Sequence, residues 1–331
     1  MKAQVIKKFG DPSVFEIVEV PKPEAIHGHV VIEVKATSVN PIDTKVRSGA
    51  VPAVAPDFPA VLHGDVAGVV VEVGEGVTEF KVGDEVYGCA GGFKDTGGAL
   101  AEYMLADAQL LAPKPENLTM AEAAALPLVT ITAWEALYNR ANVQNGQTVL
   151  VHAATGGVGH VAIQLAKLAG AKVFTTASSE EKLSIGKRLG ADVAINYREQ
   201  TVEEYVKEYT DGKGFDIVFD TVGGENLDRS FQAAATYGTV LAIAARSTHD
   251  LSLLHSKALS LHITFMLLKV INKEQRKEYG KILREVTKLV EEGKLQPLVE
   301  KRIFKFDQVK EAHLLLESNK AIGKIVLTNE W

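Results

Sequence analysis

The chain carries two hydrophobic rhythms. Over its first third, short runs rich in valine and isoleucine lie between glycine, proline and aspartate turns: Ala3–Ile6, Phe15–Val20, Val30–Ala36, Val66–Val73, Glu85–Tyr87 and Ala101–Leu105. Closely spaced runs of this kind predict β-strands in a small barrel or sandwich. One helix start interrupts them, with Asn40 suited to the N-cap and Pro41 to the first helical position.

Near residue 119 the period changes. Thr119-Met-Ala-Glu122 is a capping-box pattern that leads into an alanine-rich helix. Beyond it, apolar strands alternate with amphipathic helices. Thr148–Ala153 reads as a strand, and Val158, Val161, Ala162, Leu165 and Ala169 then share one helix face, with Gly170 at its C-terminal cap. Lys172–Thr176 and Asp192–Asn196 are the next strands, and Ser178-Ser-Glu-Glu181 is a second capping box. Phe215–Asp220, a helix around Leu227–Ala235, Thr239–Ala244 and His262–Leu267 complete the cycle. Such alternation predicts an α/β fold with a Rossmann-type, doubly wound, six-stranded parallel sheet. The tail reads as an amphipathic helix over Lys273–Glu292, an extended Val299–Phe304, a helix over Val309–Glu317 and a strand over Lys324–Leu327.

The segment between the first strand and the first helix of this cycle carries the clearest chemistry. It runs Ala154-Thr155-Gly156-Gly157-Val158-Gly159. Alanine stands at the first glycine position of the dinucleotide fingerprint, but the strand–turn–helix context is the required one. Gly156 and Gly157 would let backbone approach a pyrophosphate, and the helix N-terminus would offer free N–H groups to it. An NAD site usually ends the second strand with an acid that binds the ribose 2′-hydroxyl. Here that strand ends Ala177-Ser178-Ser179, without an acid. Ser178, Ser179 and Lys182 would donate to a 2′-phosphate, and Tyr197 and Arg198 lie next door in this topology. NADP(H) is therefore the expected cofactor. The alternative is that Ser178 only caps its helix and Lys182 only pairs with nearby glutamates.

Composition narrows the picture. A length of 331 residues suits two domains of roughly 150 each. With 36 basic against 42 acidic residues, the net charge of −6 argues against a surface built for nucleic acid. No run approaches the ~20 apolar residues of a membrane span. No secretory signal is visible, so a soluble, cytoplasmic protein without a membrane partner is expected. The single cysteine, Cys89, excludes an internal disulfide and a four-cysteine zinc site.

Several motifs together resemble the medium-chain dehydrogenase/reductase superfamily, and within it the zinc-free, zeta-crystallin-like quinone oxidoreductases. They include Asn40-x-x-Asp43-x-x-x-Arg47-x-Gly49, Gly64-Asp65-x-x-Gly68, Val82-Gly-Asp-x-Val86, Gly98-Ala-Leu-Ala-Glu-Tyr103, Gly156-Gly-Val-Gly159, Phe219-Asp-x-Val-Gly-Gly224 and Gly323-Lys324. The resemblance implies a GroES-like catalytic domain over residues 1–122 and 268–331, with a nucleotide domain inserted over residues 123–267. Zinc-dependent members place a cysteine where this chain has Asn40 and a histidine where it has Gly64. Asp65 matches the acid after that histidine. Both metal sites are thus expected to be lost.

That loss bears on the chemistry. A metal acts as a Lewis acid toward a simple alkoxide. Hydride added to a quinone or to the β-carbon of an enone instead gives a phenolate or enolate whose charge is already delocalised. The resemblance accordingly implies NADPH-dependent reduction of quinones or other α,β-unsaturated carbonyl compounds by a homodimer. It places Asn40 and Asp43 at the nicotinamide and cleft, and Thr130 by the nicotinamide ribose. Val222, Ala244 and Ala245 would line the cofactor at the ends of strands four and five. Phe265, Met266 and Leu267 on the last strand would hold the carboxamide, and Lys324 would approach from the tail. The dimer edge would come from Val240–Ala244 and His262–Leu267. The branch often carries a tyrosine two residues after the Asp. Lys45 stands there instead, which leaves the proton donor unassigned. The alternatives are a carbonyl or alcohol dehydrogenase with an unusual metal site, and a non-catalytic NADPH-binding structural or redox-sensing protein.

Overall fold

A computed structural model describes all residues from Met1 to Trp331. In chain order its elements begin with β1 Lys2–Ile6, β2 Phe15–Glu19, β3 His29–Val39, α1 Pro41–Ser48, β4 Ala60–Val61, β5 Asp65–Val73, β6 Glu85–Cys89, β7 Tyr103–Asp107, β8 Leu111–Pro113, α2 Met120–Ala124 and α3 Pro127–Trp134. The alternating part follows: β9 Thr148–Val151, α4 Gly157–Leu168, β10 Lys172–Ala177, α5 Glu180–Arg188, β11 Val193–Asn196, α6 Val202–Thr210, β12 Phe215–Asp220, α7 Glu225–Ala233, β13 Ala234–Ala242, α8 Ser252–Ser256 and β14 Ser260–Ile263. The tail adds α9 Leu267–Ile271, α10 Lys277–Glu291, β15 Phe304–Lys305, α11 Val309–Glu317 and β16 Ile325–Thr328.

Two compact units result. One holds Met1–Ile131 and Leu267–Trp331, and the other Thr132–Met266, so the first boundary falls inside α3. The first unit is built from a three-stranded sheet, β2-β1-β4, and a seven-stranded sheet ordered β15-β16-β3-β5-β6-β8, with β7 also paired to β3. The long strand β3 is the spine. Along it β5 and β7 pair antiparallel, and the tail strand β16 pairs with its end, Ile325 opposite Val39. That register carries Lys324 to the start of α1.

The second unit holds one parallel sheet ordered β11-β10-β9-β12-β13-β14. Reversal of strand order between β9 and β12 is the switch point at which such sheets bind ligands. Its core includes Leu150, Phe174, Phe215, Val218, Phe231 and Val240, all essentially without exposure.

The structure corrects several expected elements. The last strand stops at Ile263 instead of Leu267. Thr264 still donates its N–H to Ala242 O (2.9 Å), but β13 ends there, and no ladder remains for Phe265 and Met266. Val240–Ala244 is no edge, because β13 is paired on both sides; β14 is the edge. The expected helix over Lys273–Glu292 is present as α10 from Lys277 to Glu291, and its first turn is 3₁₀ instead. Asn272 Oδ1 accepts the Glu274 N–H (3.2 Å), ending α9 and opening a 3₁₀ turn before α10, as asparagine does when its side chain competes with helical backbone. Val299–Phe304 contributes a single bridge, Val299 to Lys324, before the two-residue β15. No helix is long and apolar enough to cross a membrane.

Candidate functional site

In the second unit the turn after β9 is tied down by backbone. Ala153 adopts a left-handed conformation (φ 59°), its carbonyl accepts the Gly156 N–H (2.9 Å), and Ala154 donates to Thr176 O (3.0 Å). A Cβ on Gly159 would lie 2.1 Å from Ala153 O, so only glycine lets α4 pass this close. On Gly156 a Cβ would meet only Ala153, at 3.3 Å and beyond, so that face of the turn is open. The first-turn N–H groups of α4 have no intrahelical acceptors, and the helix dipole adds partial positive charge there. Behind the turn, His152 Nδ1 lies 3.1 Å from Thr176 Oγ1, while its buried Nε2 has no partner. Thr176 Oγ1 also accepts the Ala153 N–H (3.3 Å). Burial pushes the His152 pKa down to about 4. An open glycine face, free amides and a buried, unpartnered imidazole nitrogen together fit a dinucleotide.

At the end of β10, Ser179 and not Ser178 caps α5, accepting the Lys182 N–H at 3.5 Å. The strand runs one residue further than expected, to Ala177, so the cap shifts by one. Ser178 is left half-buried, with Ser179 exposed beside it and Tyr197 49% exposed. Just beyond β12, Asp220 accepts the N–H groups of Val222 (2.9 Å) and Gly223 (3.0 Å). A Cβ on Gly223 would lie 2.3 Å from Ala244 O, so Val222 and Ala244 are brought together across the two strand ends, with Ala245 next in the chain. Phe265 is exposed beyond β14. Met266 is buried, and Leu267 opens α9 in the first unit.

In the first unit, Asn40, Asp43 and Lys324 come together around a residue that carried no assigned role, Asp65. Asp65 Oδ2 accepts from Ser38 Oγ (2.8 Å) and Asn40 Nδ2 (2.8 Å) and lies 3.6 Å from Lys324 Nζ. Its Oδ1 accepts the Leu128 N–H (2.9 Å), which fixes the start of the helix that carries Thr130. Lys324 Nζ donates to Asn40 Oδ1 and to Val39 O (3.1 Å). The Asn40 side chain is therefore engaged with Asp65 and Lys324 and does not cap α1. That helix start is held by Asp43 instead, whose Oδ2 accepts the Asn40 N–H (2.7 Å). Asp43 Oδ1 and Thr130 Oγ1 are buried without partners. Burial, reinforced by the nearby Asp65, pushes the Asp43 carboxyl up to about 7.

A second buried chain adjoins this cluster. Arg47 donates to His313 Nδ1 (3.0 Å) and Glu317 Oε1 (2.5 Å). His313 Nε2 meets His63 Nε2 at 2.9 Å, and His63 Nδ1 lies 3.4 Å from Thr37 Oγ1. Arginine only donates, so His313 carries its hydrogen on Nε2 and His63 carries its own on Nδ1. Burial pushes His63 down to about 3 and His313 well below its ordinary value, and both are neutral. The Gly64-Asp65 and Arg47 motif positions pointed toward this region, but no signal in the sequence links His313 to His63 across 250 residues. No three histidine, cysteine, aspartate or glutamate side chains are grouped so as to hold a metal ion. The donor set around Asn40 and Gly64 does not fit a zinc ion.

Comparison with known proteins adds an independent line. The alcohol dehydrogenase GroES-like domain family matches residues 26–116, and a zinc-binding dehydrogenase family matches residues 189–327. The NADPH-dependent alkenal/one oxidoreductase of Arabidopsis thaliana, a chloroplastic protein, is 35% identical over 334 residues, covering 99% of this chain and 79% of that one. Among solved structures, an alcohol dehydrogenase superfamily protein from Novosphingobium aromaticivorans is 40% identical with a TM-score of 0.94, each chain covered in full. The Escherichia coli quinone oxidoreductase complexed with NADPH is 29% identical with a TM-score of 0.88, covering 99% of this chain and 100% of that one.

Proposed function

Because the chain belongs to the medium-chain dehydrogenase/reductase superfamily, in its quinone oxidoreductase branch, we propose that it is an NADP(H)-dependent oxidoreductase. Its substrates would be quinones or other α,β-unsaturated carbonyl compounds, reduced without zinc. The observation that carries this reading is one chain holding both an open dinucleotide turn and, where zinc-dependent relatives keep their metal ligands, an engaged amide and a glycine.

Bound NADPH would supply a hydride. The residues of the chain bind and orient it. The α4 amides and the open face of Gly156 receive the pyrophosphate, and the unpartnered His152 Nε2 lies behind the turn. Ser178, Ser179 and Lys182 receive the 2′-phosphate, where an acid would repel it. Val222, Ala244 and Ala245 give the strand ends a small apolar lining. Phe265 and Met266 belong to a loop beyond β14, and this segment would flank the carboxamide. In the first unit, Asp43 holds a proton near neutral pH on a buried carboxyl. It is the group best suited to protonate an enolate or phenolate, with Thr130 Oγ1 as a second hydroxyl. Asn40 has one amide hydrogen left after bonding Asp65. Pairing of two copies along the free edge of β14 would form the expected homodimer.

A turnover screen tests the reading. NADPH oxidation is expected with quinones, 2-enals and α,β-unsaturated ketones, with NADH slower and with no change after chelator treatment. Saturated aldehydes and alcohols should be poor substrates. Chelator-sensitive alcohol oxidation would overturn it.

A further inference from the structure

We propose that the Lys324 ammonium is the resident cation of the Asn40–Asp65 cluster, filling with the chain's own charge the place a metal ion would need. The inference deepens the zinc-free reading above and rests on it for its functional meaning.

Four observations converge. First, Nζ is surrounded by three oxygens, Asn40 Oδ1, Val39 O (3.1 Å) and Asp65 Oδ2 (3.6 Å), which matches the three donors of an ammonium. Second, the Asp65 carboxylate already has donors at both of its oxygens. Ser38, Asn40, Lys324 and the Leu128 N–H already surround its two oxygens. Third, no ligand side chain fits at position 64. A Cβ on Gly64 would lie 2.7 Å from Phe93 Cε2, 2.9 Å from Gly91 O and 3.0 Å from Cys89 Sγ, so the buried Phe93 ring occupies that volume. Fourth, Lys324 is only 3% exposed and Asp65 fully buried, so each charge needs the other. Burial pulls the lysine below its ordinary pKa, and Asp65 and Asp43 pull it back.

Lys324 is thereby a positioning residue. Asp65 can only accept and the ammonium can only donate, so together they fix which way the Asn40 amide faces.

The test uses the full chain and reads metal content and thermal midpoint, neither of which requires the correct substrate. Wild-type protein dialysed against zinc chloride should retain no stoichiometric zinc. Lys324→Ala should lower the midpoint by roughly 6–10 °C. Tens of millimolar methylammonium chloride should recover at least half of that loss, and tetramethylammonium chloride, too large for the vacated space, should not. Lys324→Met should be similarly unstable, whereas Asp65→Asn/Lys324→Met, with both charges removed, should return near the wild-type midpoint. If Lys324→Ala does not fold, the Met pair carries the test. Stoichiometric zinc in the wild type, a folded Lys324→Ala that ignores methylammonium, or a double variant no more stable than Lys324→Met would each overturn the proposal. Absence of quinone or enone turnover, with these readouts as expected, would count against the proposed activity alone.

Discussion

The nucleotide turn and the Asp65 cluster solve opposite problems. The turn is contiguous, running from Ala153 to Gly159, and it leaves polar groups unused: the first amides of α4 and His152 Nε2. The cluster joins residues 25, 27 and 284 positions apart, and it spends nearly every donor and acceptor internally. A region that must receive a charged ligand keeps its backbone open. One that must hold a charge in place closes around it, because an unpaired buried ion costs several kcal/mol. The few groups left over in the cluster, Asp43 Oδ1 and Thr130 Oγ1, stand out for that reason.

This contrast can be broken most severely at Asp65. Asp65→Ala would strand the ammonium, the Leu128 N–H and two side-chain donors together. A loss of about 3–5 kcal/mol is expected, read by denaturant unfolding, with nucleotide affinity of the surviving folded protein little changed. The opposite result belongs to the turn. Gly159→Ala, whose Cβ would collide with Ala153 O, should cost about 1–3 kcal/mol and weaken NADPH binding at least tenfold by fluorescence titration.

Acid should separate the two regions next. His63, His313 and His152 titrate in the folded chain well below the ordinary histidine value, so the unfolded chain binds protons that the folded chain refuses. Their stabilisation is complete above about pH 6.5 and falls by roughly 1.4 kcal/mol per pH unit for each histidine below it. For His152 the fall continues to about pH 4 and for His63 to about pH 3. Asp43 acts in the other direction. Its raised pKa means that the folded chain gains protons, and stability, as the pH falls from about 7 toward 4. Three groups against one leaves a net loss on acidification. His63→Gln should flatten the dependence of unfolding free energy on pH between 6.5 and 5 by about one such slope. An unchanged slope would show that His63 is not held neutral.

Smaller effects probe the second strand. Ser178→Asp should shift preference from NADPH toward NADH by about 1–2 kcal/mol, or roughly five- to thirtyfold in relative affinity. Ser179→Ala removes a long, exposed cap bond and should cost no more than about 0.5–1 kcal/mol. A large loss there would mean that the hydroxyl has a partner beyond Lys182.

The alternation of strands and helices, the glycine turn and the missing acid after β10 were legible because each depends on neighbours within a few residues. Hydrophobic period, cap residues and glycines act locally. Errors arose where a distant partner set the limit. Phe265 and Met266 lost their strand because β13 ends at Ala242. Asn40 gave up its cap because Asp65 and Lys324 take both ends of its amide. The tail helix starts at Lys277 instead of Lys273 for a local reason, the Asn272 side chain.

Residue order alone established a two-part α/β chain with a dinucleotide turn suited to NADP(H) and no cysteine set for zinc. These follow from periodicity, backbone freedom and the presence or absence of side-chain types. Folding decided which charges meet. Strand β16 pairs with β3 in a register that sets Lys324 beside Asn40, and β5 begins where Asp65 faces both. Electrostatic pairing depends on distance in space. Distances between residues hundreds of positions apart are set by sheet register, which no local pattern encodes.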